Sequence, residues 1–218
     1  MKDREIHPAI KILRRATRAW MMPYVTELAQ RSRDPFRVLI STMLSLRTKD
    51  AVTAEASQRL FALADTPRAM LRLSPRQIEK AIYPVGFYHT KARNIPRVCR
   101  VLVSQHGSSV PDEIDALVAL PGVGRKTANL VVTLGFGKPG ICVDTHVHRI
   151  TNRWGYVKTK TPEQTEMALR EKLPRAYWIE INDELVALGQ NICHSTSPRC
   201  SICPVGAYCA RVGVTRSR

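Results

Sequence analysis

Four cysteines, Cys193, Cys200, Cys203 and Cys209, crowd one short segment with the spacing C-x6-C-x2-C-x5-C, and His194, Pro198 and Pro204 lie among them. Four thiols so close together look like the walls of one metal site. Three chemistries compete for them. Disulfides need an oxidising compartment, and the sequence opens Met1-Lys2-Asp3-Arg4-Glu5 with no apolar signal segment, which predicts a reducing one. Structural zinc takes four tetrahedral ligands, usually as two short pairs, and only Cys200 and Cys203 form such a pair. A cubane iron–sulfur cluster is wider than one ion and holds one thiolate at each of its corners, so longer and unequal gaps suit it. Spacing ranks the cluster above zinc and leaves both open, because both use all-cysteine sites. The other two cysteines, Cys99 and Cys142, sit in apolar stretches and read as buried structural thiols.

A second group of residues could do chemistry on a polyanion. Leu120-Pro121-Gly122-Val123-Gly124-Arg125-Lys126-Thr127-Ala128 lies between two helical runs. Two glycines two apart make a tight turn with unhindered backbone N–H groups. At a helix start, where the dipole favours an anion, such a turn can hold one phosphodiester without reading a base. The same glycines would also serve an ordinary helix–turn–helix connection. Lys126 falls in the first turn of the second helix, beside Arg125. Two roles fit it: an amine nucleophile prepared by cationic surroundings, or a cation paired to phosphate. Eighteen residues on, Val143-Asp144-Thr145-His146-Val147-His148-Arg149 places an aspartate just before an apolar helical run. Asp144 reads as an N-cap that could also do chemistry. His146 and His148 read as polar helix residues or DNA contacts rather than metal ligands.

The elements that must position these residues are helical nearly throughout. Asp34-Pro35 offers a cap and a first-turn proline, followed by Phe36, Leu39, Ile40, Met43 and Leu44 at helical spacing. Ser74-Pro75-Arg76-Gln77 is a capping box ahead of Ile78 and Ile82, and Thr161-Pro162-Glu163-Gln164 repeats it ahead of Met167, Ala168 and Leu169. Pro111-Asp112-Glu113 opens a short helix through Leu117 and Ala119. Asn182 to Leu188 forms another, with Gly189 near its end. Pro96 interrupts the run Lys91 to Ser104 and predicts a kink or a helix start. Ile141-Cys142-Val143 is the one β-like fragment, too short to found a sheet, and the tail Arg211 to Arg218 is expected to fray. The fold class is therefore all-α.

Composition narrows the partner. The chain has 218 residues, enough for one large or two small domains, and at 44% hydrophobic it can bury a core. No run of 18 apolar residues occurs, so no membrane span is expected. Lys and Arg number 34 against 18 Asp and Glu, a net charge of +16 that favours nucleic acid over an anionic membrane surface. Aromatics at 6% argue against a single-strand binder built on stacking platforms.

Together the hairpin LPGVGRKTAN, the segment VDTHVHR and the cysteine tail resemble the helix-hairpin-helix DNA glycosylases with an iron–sulfur cluster, most closely their endonuclease III branch. Leu44-Ser45-Leu46-Arg47-Thr48-Lys49-Asp50 and Gly86-Phe87-Tyr88-His89-Thr90-Lys91-Ala92 extend the resemblance over nearly the whole chain. It implies two helical lobes with a DNA-binding cleft between them. A helical barrel would run over residues 31–137, its helix-hairpin-helix over about 112–136. Residues 1–30 and 138–218 would form a discontinuous cluster lobe, with the cluster loop at 193–209. The resemblance implies that Lys126 attacks the sugar carbon bearing a flipped-out base, that Asp144 assists, and that a Schiff base then allows strand cleavage by β-elimination. Substrates would be oxidised or ring-saturated pyrimidines in double-stranded DNA, or abasic sites. The cofactor would be a [4Fe-4S] cluster on Cys193, Cys200, Cys203 and Cys209. DNA contacts would come from Leu120, Gly122, Val123, Gly124, Arg125, Thr127 and His146, and from Arg47 and Phe87 as wedges. A monomer is expected, cytoplasmic and nucleoid-associated.

The family pattern is also broken in places. Arg47 stands where the endonuclease III branch usually has glutamine, Phe87 where an aliphatic residue is common, and the loop His194 to Arg199 is less basic than usual. Branches that excise only mispaired adenine or thymine carry serine or tyrosine at the place of Lys126, and the adenine branch has a carboxylate near Ser41.

Overall fold

Side-chain caps at Asp34, Thr66, Ser74, Asp144 and Thr161 start five of the described helices. In a computed structural model, which describes residues 1–20 and 22–218, the order is α1 (Ile6–Thr17), α2 (Tyr24–Ser32), α3 (Pro35–Ser45), α4 (Asp50–Leu63), α5 (Pro67–Met70), α6 (Pro75–Ile82), α7 (Tyr88–Gln105), α8 (Ile114–Val118), α9 (Arg125–Leu130), α10 (Thr145–Arg153), α11 (Pro162–Lys172) and α12 (Ile181–Asn191). No strand occurs among the described residues, and Ile141–Val143 is plain extended chain. Nor is any described helix long and apolar enough to cross a membrane.

The chain divides into two compact units, residues 23–140 and residues 1–22 with 141–218. The first unit begins at Pro23 rather than at residue 31, because Val25 and Ala29 of α2 are buried in its core. The predicted apolar face of α3 is there too: Phe36, Leu39, Ile40, Met43 and Leu44 are all buried. Asp34 Oδ1 accepts from the backbone N–H of Phe36 at 2.9 Å and of Arg37 at 3.3 Å, the expected cap. The capping box before α6 is reciprocal: Ser74 N–H donates to Gln77 Oε1 at 2.8 Å and Gln77 N–H to Ser74 Oγ at 3.3 Å. The other unit packs α1, α10, α11 and α12 around Leu13, Val147, Ile150, Trp154, Leu185 and Leu188.

Several local expectations are overridden. Before α11, Thr161 Oγ1 accepts from Gln164 N–H, but Gln164 Oε1 reaches back to Lys160 N–H at 2.9 Å, so the box closes one residue early. On α11 itself Thr165, Glu166 and Leu169 are buried and Met167 is 48% exposed. Helix α8 starts at Ile114, three residues after Pro111. Pro96 neither ends nor begins a helix; α7 runs through it from Tyr88 to Gln105. Gly189 keeps its expected place near the end of α12, where a Cβ would collide with His146 Nδ1 of α10. The tail is not frayed: Val212 N–H donates to Arg153 O at 3.0 Å, Arg218 N–H to Pro198 O at 2.8 Å, and Arg218 O accepts from Ser201 N–H at 3.0 Å.

Candidate active site

The glycine hairpin sits between α8 and α9 in the 23–140 unit. Its glycines do different jobs. Gly122 has φ +78°, and a Cβ there would lie 2.6 Å from Asn94 Nδ2 of α7, so the fold itself demands glycine. Gly124 has φ −93°, and a Cβ there would meet nothing within 4 Å. The fold does not require that glycine, and its bare backbone faces open space, as a surface approached closely by a ligand would. The side chains of Leu120, Val123 and Thr127 are buried, so these residues can meet a ligand only through their backbone. Val123 N–H turns inward to Leu120 O at 3.1 Å, which sets the turn. Arg125 and Lys126 open α9 and are half-buried.

Asp50 closes the Leu44–Asp50 motif, and no role for it follows from the sequence alone. It opens α4, half-buried, and burial raises its carboxyl above the usual carboxylate range, against a hydrogen bond from the Tyr24 backbone and the attraction of Lys126. The 23–140 unit thus gives Lys126 an acidic neighbour. Its signal in the sequence was an acidic residue at a helix start within the quoted motif.

Asp144 lies in the other unit as the N-cap of α10. Its Oδ1 accepts from His146 N–H at 2.8 Å and Val147 N–H at 2.9 Å, so two bonds hold the carboxylate in place. His146 stands in the first turn of α10, with Nδ1 2.9 Å from Arg149 Nη2. The same Arg149 nitrogen donates to Cys193 O at 2.8 Å and so ties α10 to the cysteine segment. His148 pairs with Thr165 Oγ1 at 2.7 Å, in keeping with a polar helix residue.

The two predicted wedge positions come together. Arg47 and Phe87 are exposed, and the Arg47 guanidinium carbon lies 5.4 Å from the centre of the Phe87 ring. Both residues have left-handed backbone, φ +53° and φ +57°, a conformation uncommon outside glycine and most of all for bulky side chains.

All four tail cysteines line one cavity, together with Arg153, Trp154, Leu188, Ile192 and Arg211. Burial first, then the neighbouring thiols, pushes the Cys203 thiol up to about 11, and burial raises Cys209 as well. Thiolates gathered here therefore need cationic compensation. Arg153 Nη1 donates to Cys193 Sγ at 3.3 Å and to His194 O at 2.6 Å, and Arg211 N–H donates to Cys209 Sγ at 3.4 Å, the bonds a ligating thiolate attracts. Among the described residues no three His, Cys, Asp or Glu gather tightly enough for a single metal ion. Four thiols on the wall of one cavity are the donor type that a cubane cluster takes, one at each corner, and that structural zinc takes as well. Cys99 and Cys142 are buried, as expected.

Known proteins bear on these residues. Residues 40–175 match the model of the HhH-GPD superfamily base excision DNA repair proteins. The chain is 48% identical over 176 residues to endonuclease III of Thermotoga maritima, covering 81% of this chain and 83% of that protein. It is 39% identical over 175 residues to endonuclease III of Escherichia coli, covering 80% and 83%. A solved structure of a trapped endonuclease III–DNA covalent intermediate superposes with a TM-score of 0.86 at 32% identity, over 97% of both chains.

Proposed function

Since the chain belongs to the HhH-GPD superfamily of base excision DNA repair proteins, and within it to the endonuclease III family, we infer that it removes oxidised or ring-saturated pyrimidines from duplex DNA with Lys126 as nucleophile. It is a DNA glycosylase and abasic-site lyase. The observation that carries the assignment of the amine is the place of Lys126, in the first turn of α9 directly after the open backbone of Gly124.

The chemistry follows from the residue types. The Lys126 amine forms a bond to the sugar carbon that bears the base, and the bond from that carbon to the base breaks, with its electron pair leaving on the base. Asp144, fixed by two backbone N–H groups, stabilises positive charge developing on the sugar and takes up the proton the lysine loses. The sugar ring then opens: the bond from that carbon to the ring oxygen breaks, the ring oxygen takes a proton, and the resulting Schiff base acidifies the neighbouring sugar carbon. Loss of that proton expels the 3′ phosphate, and the strand is cut by β-elimination. Gly122, Gly124, Arg125 and the backbone of Leu120, Val123 and Thr127 grip a phosphate beside the lesion, and His146 adds a contact from α10. Arg47 and Phe87 fill the gap left by the flipped base. Here Arg47 brings a guanidinium that stacks and donates hydrogen bonds toward the opposite base.

Cys193, Cys200, Cys203 and Cys209 hold a [4Fe-4S] cluster. When bound, it braces the 193–209 segment and needs to pass no electrons in the reaction. Purified protein is expected to be yellow-brown with broad absorption near about 400 nm, characteristic of such clusters. Cys203→Ser should lose that absorption and melt at lower temperature. A colourless native protein containing stoichiometric zinc would overturn the assignment.

The protein acts as a monomer on double-stranded DNA. A panel of duplexes, each with one lesion, tests the substrate class by scoring base release and strand cleavage separately. Release and cleavage together on ring-saturated and oxidised pyrimidines are expected. Release of mispaired thymine or uracil alone, without cleavage, would assign a different specificity.

A further inference from the structure

Lys91 is a buried lysine that neither the chemistry nor the phosphate grip uses. It lies in the first turn of α7 and is only 7% exposed. Its ammonium donates to Leu44 O and Leu46 O, each at 2.7 Å, and to Thr48 Oγ1 at 3.4 Å. None of these acceptors carries a formal charge. The two carbonyls belong to the C-terminal end of α3, where the helix dipole presents its negative pole. Burying an ammonium with no anionic partner is costly, and burial duly lowers the Lys91 pKa to about 8.

What that cost maintains is visible in the backbone. Lys91 N–H donates to Phe87 O at 3.1 Å and closes the first turn of α7 on Phe87. Its side chain meanwhile holds the carbonyls on either side of Ser45, just before Arg47. One residue therefore grips both segments that bear the exposed pair. Thr48 completes the junction: its Oγ1 accepts from Gly86 N–H at 3.1 Å and donates to Leu46 O at 3.2 Å. The segments touch so closely that a Cβ on Gly86 would collide with Arg47 O. Left-handed backbone at Arg47 and at Phe87 is strained for side chains of this bulk, and such strain persists only where surrounding bonds impose it.

We propose that Lys91 is a positioning residue for base extrusion, holding the Leu44–Thr48 and Gly86–Phe87 segments together so that Arg47 and Phe87 enter the duplex as one wedge. The proposal rests on the wedge role given above to these two side chains. Lys91 touches neither substrate nor cofactor in it. The wedge matters while a base is being flipped out of a duplex. It does not matter for cleavage at an abasic site already present in a single strand.

The experiment compares single-turnover base release from a lesion duplex with strand cleavage at a pre-formed abasic site in a single-stranded oligonucleotide, with thermal melting alongside. Arg47→Ala and Phe87→Ala set the scale. Lys91→Met, which keeps the length and removes the donors, is expected to slow duplex base release about 10- to 100-fold, the scale of a misplacement of about 1 Å. Single-strand cleavage should stay within about twofold. Gly86→Ala disturbs the same junction with Lys91 intact, should give the same split, and carries the test if Lys91→Met does not fold. Unchanged duplex release in a folded variant, or an equal loss of both activities, overturns the proposal. If Arg47→Ala and Phe87→Ala leave duplex release untouched, the wedge reading fails and takes the proposal with it. If they slow it and neither junction variant does, only the role of Lys91 fails.

Discussion

Lys126→Gln is expected to abolish the covalent adduct that borohydride captures between the protein and an abasic-site duplex. Glutamine keeps the length of the side chain and a polar end but has no basic amine, so no Schiff base can form or be reduced. Strand cleavage should fall by at least about a thousand-fold, the order seen when a nucleophile is removed and only binding and charge stabilisation remain. The fold should survive, because Lys126 is half-buried rather than part of the packed core. DNA affinity should drop only modestly, since one cation among many phosphate contacts is lost. The measurement is a denaturing gel of the trapped complex, run beside a binding titration. An undiminished adduct would place the nucleophile on another amine, and an adduct absent even from the native protein would remove the lyase reading altogether.

The second large effect concerns Asp144. Asp144→Asn separates its two jobs, because asparagine caps a helix about as well as aspartate. The bonds to His146 N–H and Val147 N–H should persist, and so should the melting temperature. The negative charge is gone, and with it the stabilisation of a developing cation on the sugar. Base release in single turnover should slow by about 10²- to 10³-fold, the usual loss of one preorganised electrostatic partner, while affinity for the lesion duplex changes little. An unchanged rate would reduce Asp144 to a cap, and loss of the fold would show that the charge itself holds α10. Read with Lys126→Gln, the pair distinguishes an enzyme from a protein that merely docks on DNA.

How much of this was legible depended on range. Asp34 and Ser74 announced their helices because each cap bonds to residues two or three away. The cysteine spacing and the glycine hairpin were equally legible, since each is one short segment with one geometric demand. Where the sequence misled, a distant partner decided. Arg211 to Arg218 read as a loose tail, but Arg153, Pro198 and Ser201 bind its backbone. Pro96 read as a kink or a helix start, and it starts no helix, because buried Ala92, Ile95, Val98 and Cys99 around it carry α7 through. Lys91 stood within a quoted motif, but nothing local marked its side chain as interior. A lysine in a helix defaults to solvent, and only the approach of the 44–48 segment makes it an interior donor. Arg47 and Phe87 were singled out by position in a motif, whereas the left-handed backbone they share came from bonds that no local pattern contains.

One arrangement of the chain has a consequence for how it is made. Residues 23–140 interrupt the other unit, whose pieces are residues 1–22 and 141–218. On the ribosome the whole middle section therefore emerges before the second half of its neighbour exists, and domains generally fold as units in the order of synthesis. Helix α1 must wait for α12, to which it is joined by Arg14 with Glu180 and by Thr17 with Glu184 at 3.1 Å. Closing so long a loop costs little more than closing a short one, about 0.6 kcal/mol for each doubling of length, and a finished insert already brings its own ends to defined places. The delay falls on the amphipathic helix α1, whose apolar face waits for its partner until residues 181–191 have been made, so the vulnerable interval of synthesis is the time taken to make the insert and the helices that follow it.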